Sequence, residues 1–235
     1  MKIVITGTSS GIGEGLADFY CRRGYEVTGI SRRGNAKLRK YENYDDNLLD
    51  LTDFDQSDGF FCEYFTNNKN IDLVILNSGI LGRIDRFENQ GILEIKELMN
   101  INVWANKIII DLILRTKAKV KRVAAISSGA AKNGSAGWGP YSVSKAALNM
   151  LIKTYAAENP EIHFSAIAPG LVDTKMQEYI SSLDTGDEFP AIARLQKARG
   201  TEAMPDPYKA AALLDRAFEK AVEFESGIFL DVREL

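Results

Sequence analysis

The sequence predicts an α/β protein: a single doubly wound parallel sheet of about seven strands with helices on both faces. Three observations carry that expectation. Strand-like apolar runs alternate with helix-length amphipathic stretches along the whole 235-residue chain. Several of the runs are almost continuously apolar, as in strands covered on both faces by helices. The first run also passes through a glycine-rich turn straight into the first helical stretch.

The elements follow in order. "KIVIT" (2–6) is the first strand, and the amphipathic stretch at 11–23 is the helix after it. "EVTGI" (26–30) and "DNLLD" (46–50) are the next strands, followed by a helical stretch at 53–67. "DLVIL" (72–76) leads to a long helical stretch at 91–116. "RVAAIS" (122–127) leads to one at 139–158. "IHFSAIA" (162–168), a helical stretch at 206–224 and "IFLDV" (228–232) complete the alternation. Lys175 to Pro205 breaks the rhythm with a polar insertion, expected to form one or two short helices with loops. A long excursion at a strand end is commonly a functional lid. No repeat, low-complexity tract or linker divides the chain, so residues 1–235 read as one domain with a lid at about 175–205.

Composition excludes several function classes. Net charge is −3, which gives no global basic field to favour nucleic acid. The densest basic run, "RTKAKVKR" (115–122), lies between a helical stretch and a strand and reads as a solvated helix end. No apolar run reaches the ~18 residues of a membrane span. The two cysteines, Cys21 and Cys62, form no CxxC pair, so a reducing cytoplasm is the expected location. One histidine, His163, sits in a strand-like run and is expected to be structural; metal chemistry has little to work with.

The turn "TGTSSGIG" (6–13) places Gly7, Gly11 and Gly13 between strand and helix. Gly7 can make the tight turn, Gly11 admits a pyrophosphate close to the backbone, and Gly13 allows close helix packing. The helix N-terminus adds free N–H groups and a dipole suited to the anion. Further along, "GWGPYSVSKAAL" (137–148) puts Tyr141 and Lys145 at i and i+4, on one face of a helix. A phenol beside an ammonium is either an ordinary surface pair or a tyrosine set up for proton transfer.

The spacing TGxxxGxG, with YxxxK downstream, resembles the short-chain dehydrogenase/reductase family, a Rossmann-type fold. Asn77, Ser78 and Gly79 stand where the family has NNAG, and "INVWANK" holds Asn102 at the family's catalytic asparagine. "AISSGA" follows the fifth strand, and "APGLVDTKM" matches the family's PG motif with its downstream threonine. The resemblance covers essentially the whole chain. It implies an NAD(P)-dependent enzyme acting on CH–OH and C=O groups, with Asn102, Ser128, Tyr141 and Lys145 as catalytic residues. Ser128 is chosen over Ser127 because the family's serine lies thirteen residues before its tyrosine.

Chemistry accounts for that set. Hydride delivery to a ketone creates alkoxide character, which needs a proton donor and a fixed hydrogen-bond partner. Lys145 would lower the Tyr141 pKa from its free value near ~10. By the resemblance, Lys145 also holds the nicotinamide ribose, Ser128 bonds the substrate carbonyl, and Asn102 keeps a water-linked proton path to Lys145.

Ser9, Ser10 and Ile12 complete the phosphate turn, and Asn77, Ser78, Gly79, Pro169, Gly170, Val172 and Thr174 are expected to line the cofactor site. NAD-preferring sites typically carry an acid at the end of the second strand. Here Ser31 occupies that place and Arg32 and Arg33 follow. Serine can hydrogen-bond a 2′-phosphate and arginine can pair with it. The cofactor is therefore expected to be NADP(H), with Arg32 as main contact and Asp50 near the adenine.

The lid begins just past the PG motif, where ligands bind beyond the carboxyl ends of the strands. Trp138, Met176, Tyr179 and Phe189 are candidate pocket walls. "GWGPYSVSKAA", "APGLVDTKMQ" and "ESGIFLDV" resemble the branch of the family that includes sepiapterin reductase and bacterial benzil reductases. That resemblance places Asp231 at a substrate-anchoring position and favours a small vicinal dicarbonyl such as benzil or a sepiapterin-like pterin. The alternatives are a dehydrogenase of a secondary alcohol and a non-catalytic NADP(H)-sensing regulator. The resemblance also implies a homodimer or homotetramer, joined through the helices at 91–116 and 139–158, with no nucleic-acid or membrane partner.

Overall fold

The computed structural model describes residues 1–184 and 188–235. Seven parallel strands form one sheet in the order β3-β2-β1-β4-β5-β6-β7. They are β1 (Lys2–Thr6), β2 (Glu26–Ser31), β3 (Tyr44–Leu48), β4 (Asn70–Leu76), β5 (Lys119–Ile126), β6 (His163–Ala168) and β7 (Ile228–Asp231). Ile3 sits in register with Val27 on one side and Leu73 on the other. The strand order therefore reverses at β1, and such a reversal opens a crevice at the carboxyl ends of the strands.

Helices cover both faces. On one face lie α2 (Phe54–Asn67), α4 (Ala105–Arg115) and α5 (Gly139–Glu158). They bury Phe61, Phe65, Ile109, Ile113, Leu148 and Ile152 against the inner strands. On the other face, α1 (Gly11–Arg22) and α8 (Pro207–Ala221) bury Leu16, Tyr20, Leu214 and Phe218. Truncating one of these leucines to alanine costs about 2–5 kcal/mol through lost transfer energy and the cavity left behind. Tyr20 also ties the two helices together, its hydroxyl donating to Asp215 at 2.9 Å.

A third apolar cluster sits above the crevice. It joins Leu81, Leu98, Trp138 and Tyr141 to Ile180, Phe189, Ile192 and Leu195. Leu98 belongs to α3 (Ile92–Met99), Ile180 to α6 (Lys175–Ser182), and Ile192 and Leu195 to α7 (Pro190–Ala198). The insertion thus forms two short helices that pack beside the tyrosine of YxxxK. Residues 185–187 of the expected lid lie outside the described residues.

Several elements differ from their expected bounds: β4 begins at Asn70 rather than 72 and β5 at Lys119 rather than 122, and two further differences bear on the site. β3 spans 44–48 rather than 46–50. Its anchor is Tyr44, whose hydroxyl donates to Thr8 Oγ1 at 3.0 Å. Gly29 makes room for that ring: a Cβ there would stand 2.1 Å from the phenol oxygen. The apolar pair Leu48–Leu49 drew the expected bounds too far along, but Leu48 is exposed at the strand end. The long helical stretch at 91–116 is α3 and α4 joined by a π-helical turn at Asn100–Trp104. Such turns are rare and recur at functional sites. This one contains Asn102.

Candidate active site

A cleft of about 470 Å³ opens at the carboxyl ends of the strands. The glycine-rich turn forms one end of it. Gly7 adopts φ +79°, which a side chain would strain, and its N–H donates to the Ile30 carbonyl at 2.7 Å. Gly13 lets α1 lie directly on the turn, because a Cβ there would stand 2.3 Å from the Gly7 oxygen. Asn77 holds the turn from β4: its Nδ2 donates to the Thr6 carbonyl at 2.8 Å, while the N–H groups of Asn77 and Ser78 donate to Thr6 Oγ1. Ser10 precedes α1 in extended conformation and makes no side-chain cap. The first N–H groups of α1 are therefore left for an anion, and Ser9, Ser10, Gly11 and Ile12 line the cleft there.

At the outer end of the same crevice, Ser31, Arg32, Arg33 and Asp50 line the wall. Ser31 is buried and its Oγ accepts from the Gly34 N–H at 3.1 Å, so it shapes the loop after β2. The Arg32 side chain is two-thirds exposed and stands 3.9 Å from Asp50. The Asp50 carboxyl is held below the usual range, first by the Thr52 backbone N–H and to a lesser degree by Arg32. Pro169, Gly170, Val172 and Thr174 close the cleft from the end of β6, with Thr174 arriving over Gly11.

The other end of the cleft is built on α5. Gly137, at φ +87°, turns the chain into the helix, and Pro140 occupies its first turn, where no N–H is needed. Tyr141 and Lys145 then sit one turn apart, both buried, with the Lys145 nitrogen 5.8 Å from the phenol ring centre. Lys145 Nζ donates to the Ile126 carbonyl at 2.8 Å, which aims the ammonium at the end of β5. Ser128 lies two residues beyond and accepts from the Ala130 N–H at 3.1 Å. Ser127 points elsewhere and donates to Asn149.

Asn102 is fully buried and fully partnered. Its Oδ1 accepts from the Ile80 N–H, and its Nδ2 donates to the Ile80 carbonyl and to Ser144 Oγ. Ser144 passes the contact on by donating to the Tyr141 carbonyl at 2.8 Å. Gly79 lies between Asn102 and Lys145: a Cβ there would stand 3.1 Å from Asn102 Oδ1 and 3.5 Å from Lys145 Nζ. Its lack of a side chain keeps the space between them open.

Electrostatics departs from expectation in one respect. Burial raises the Tyr141 phenol above its ordinary range, and the nearby Ser128 hydroxyl opposes the shift only in part. Burial also pushes Lys145 down to about 8. In the protein by itself, desolvation therefore outweighs any lowering of the phenol by Lys145, whose ammonium is turned towards Ile126. The phenol holds its proton, as a donor must.

Residues 1–184 match the family described as short chain dehydrogenase. The chain is a short-chain dehydrogenase/reductase. It is 36% identical over 250 residues to a benzil reductase ((S)-benzoin forming) of Bacillus cereus, covering 99% of each protein. It is 28% identical to the protein of the same name from Bacillus subtilis, covering 98% of each. A short-chain dehydrogenase/reductase structure from Saccharomyces cerevisiae superposes with a TM-score of 0.86 at 25% identity, covering 99% of this chain and 96% of that one. This short-chain dehydrogenase/reductase is accordingly an oxidoreductase of CH–OH and C=O groups. Among the described residues, no helix is long and apolar enough to cross a membrane.

The expected site residues divide. Ser128, Trp138, Tyr141, Lys145 and Met176 line the cleft. Asn102 stands behind it, bonded to Ile80 and Ser144, and Gly13 lies beneath it under the turn. Tyr179 is partly exposed and does not line the cleft, and Phe189 packs against Gly137 in the cluster above. Asp231 does not line it either: it is buried, and Arg233 Nε and Nη2 take both its oxygens. Arg233 reaches the cleft in its place. Sequence reasoning missed Arg233, Ser144 and Asn35, whose Nδ2 bonds the Thr8 carbonyl at 3.0 Å. Ser144 had a signal, since it follows Tyr141 by three residues in a helix. The other two lie in a loop and a 3₁₀ turn that carry no pattern.

Proposed function

We infer that the protein is an NADPH-dependent carbonyl reductase whose substrate is a small vicinal dicarbonyl of the benzil type. The carrying observation is the meeting of Ser128, Tyr141 and Lys145 at the buried end of a cleft that Arg32 and Arg33 line at the other. The donor set fits the dinucleotide. Open N–H groups at α1 suit a pyrophosphate. Two arginines with no acid at position 31 suit a 2′-phosphate. Lys145, in the same cleft, would hold the nicotinamide ribose.

When bound, the reduced nicotinamide supplies a hydride to the carbonyl carbon. The protein's part is positioning and proton transfer. Tyr141 Oη donates its proton to the oxygen as negative charge develops there, and Ser128 Oγ donates a hydrogen bond to the same oxygen. Lys145, the nearest cation, stabilises the phenolate left behind. Asn102 and Ser144 hold the α5 turn that carries the tyrosine. The protonated phenol is the form that can donate in the reduction. Trp138, Met176 and Leu195 offer an apolar wall suited to an aryl group.

The dicarbonyl class rests on similarity to the Bacillus benzil reductases, and a homodimer in the cytoplasm on family resemblance. Incubation with benzil and either NADPH or NADH tests the reading. Benzoin formed with NADPH preferred is the expected result. Tight NADPH binding without any turnover of dicarbonyls would favour the sensing role instead.

A further inference from the structure

The cleft carries a cation that the catalytic set does not use. Arg233 lies in a 3₁₀ turn (Val232–Glu234) directly after β7. Its side chain runs past Gly170, where a Cβ would meet Arg233 Cγ at 3.5 Å. Its Nη2 ends beside Gly129, 3.2 Å from where a Cβ would stand. The guanidinium is thus next to the residue that follows Ser128, in the cleft that Tyr141 also lines.

Asp231 fixes that placement from behind. Its Oδ1 accepts from Arg233 Nε at 2.8 Å and from the Arg233 N–H at 3.0 Å, and its Oδ2 accepts from Nη2. The acid's side chain is 5% exposed and that of Arg233 58%. The pair therefore presents only donors to the cleft. A guanidinium has five N–H groups and no acceptor, and Asp231 engages two of them. Among the described residues, the one carboxylate lining the cleft is Asp50, at the Arg32 end.

We propose that Arg233 is a specificity-determining residue that donates to a second acceptor oxygen flanking the reacting carbonyl, and that Asp231 is its positioning residue. This rests on the reductase reading and narrows it. A vicinal dicarbonyl supplies the acceptor. A pterin that would present amino donors to a carboxylate finds the carboxylate occupied and a donor in front of it. Such a mismatch leaves buried polar groups unpaired and discriminates strongly.

The test compares benzil with deoxybenzoin, the same skeleton lacking the second oxygen. Wild type, Arg233→Met and Asp231→Asn are assayed for kcat/KM on both, with NADPH affinity measured separately. Arg233→Met should lower the benzil-to-deoxybenzoin ratio about tenfold or more, with the loss mostly in KM and NADPH affinity unchanged. Asp231→Asn should lower the same ratio less, because the guanidinium remains but is freer. Comparing each variant's ratio with wild type removes the intrinsic reactivity difference between the ketones. A wild type that reduces both ketones, with a ratio Arg233→Met leaves alone, overturns this proposal only. A wild type that reduces neither overturns the reductase reading and this one together.

Discussion

Asn102 and Ile80 exchange two hydrogen bonds: the Asn102 Oδ1 accepts from the Ile80 N–H at 2.8 Å, and its Nδ2 donates to the Ile80 carbonyl at 2.9 Å. The amide is completely buried and locks the segment after β4 to the π-helical turn. Replacing it with leucine strands both Ile80 groups, and each unsatisfied buried group costs about 1–3 kcal/mol. Because Ile80 is only half-buried at the cleft, Asn102→Leu should lose about 1–3 kcal/mol in denaturant unfolding rather than the full cost of two buried groups. Asn102→Asp keeps the acceptor for the Ile80 N–H but turns a second acceptor on its carbonyl, so it should not restore the loss.

Lys145 imposes a pH dependence on stability. Burial holds its pKa down to about 8 in the folded protein, against about 10.4 in an unfolded chain. Below the folded pKa both states carry the proton and folding bears the full cost of burying the charge. Between the two values the unfolded chain binds more protons, so stability rises with pH. Relative to Lys145→Met, the wild type should gain of order 2 kcal/mol between about pH 7.5 and 9.5. Urea unfolding of both proteins at the two pH values measures it, and an unchanged difference would contradict the assignment.

Arg32 is the exposed cation nearest Asp50 at the outer end of the cleft. Arg32→Asp places an acid where a 2′-phosphate would sit and a ribose hydroxyl could instead be gripped. The NADPH-to-NADH ratio of kcat/KM should fall about tenfold or more. An unchanged ratio would remove Arg32 from cofactor discrimination.

Gly13 supports the turn from beneath and does not line the cleft. Since a Cβ would stand 2.3 Å from the Gly7 carbonyl oxygen, Gly13→Ala must push α1 off the turn. Both stability and dinucleotide affinity should fall, readable as a lower Tm and a weaker NADPH titration. Gly59 is the control: it is also helical, but a Cβ there meets nothing within 4 Å, so Gly59→Ala should leave affinity alone.

Much of this was legible in the sequence because the signals were local. The order of strands and helices followed from apolar runs, and the glycine turn, Tyr141 and Lys145 from fixed spacings. The edge strand β3 was misplaced by two residues because its anchor is a single tyrosine packed on Gly29, while its middle is polar. The π-helical turn at Asn102 left no trace, since the stretch reads as continuous helix. Asp231 stood out by resemblance, but which residue faces the cleft depends on the 3₁₀ turn after β7. That turn buries the acid and brings Arg233 forward, a reversal that only three-dimensional contacts reveal.

Proton delivery by Tyr141, in a reduction that Lys145 and Ser128 support, is the proposal on which the rest depends. The direct measurement is benzil turnover by Tyr141→Phe at saturating NADPH, beside NADPH binding by the same protein. Loss of one general acid lowers kcat about 10²–10⁴-fold, and with the phenol ring kept, NADPH binding should hold within a few-fold. Turnover near the wild-type rate with binding intact would contradict the account.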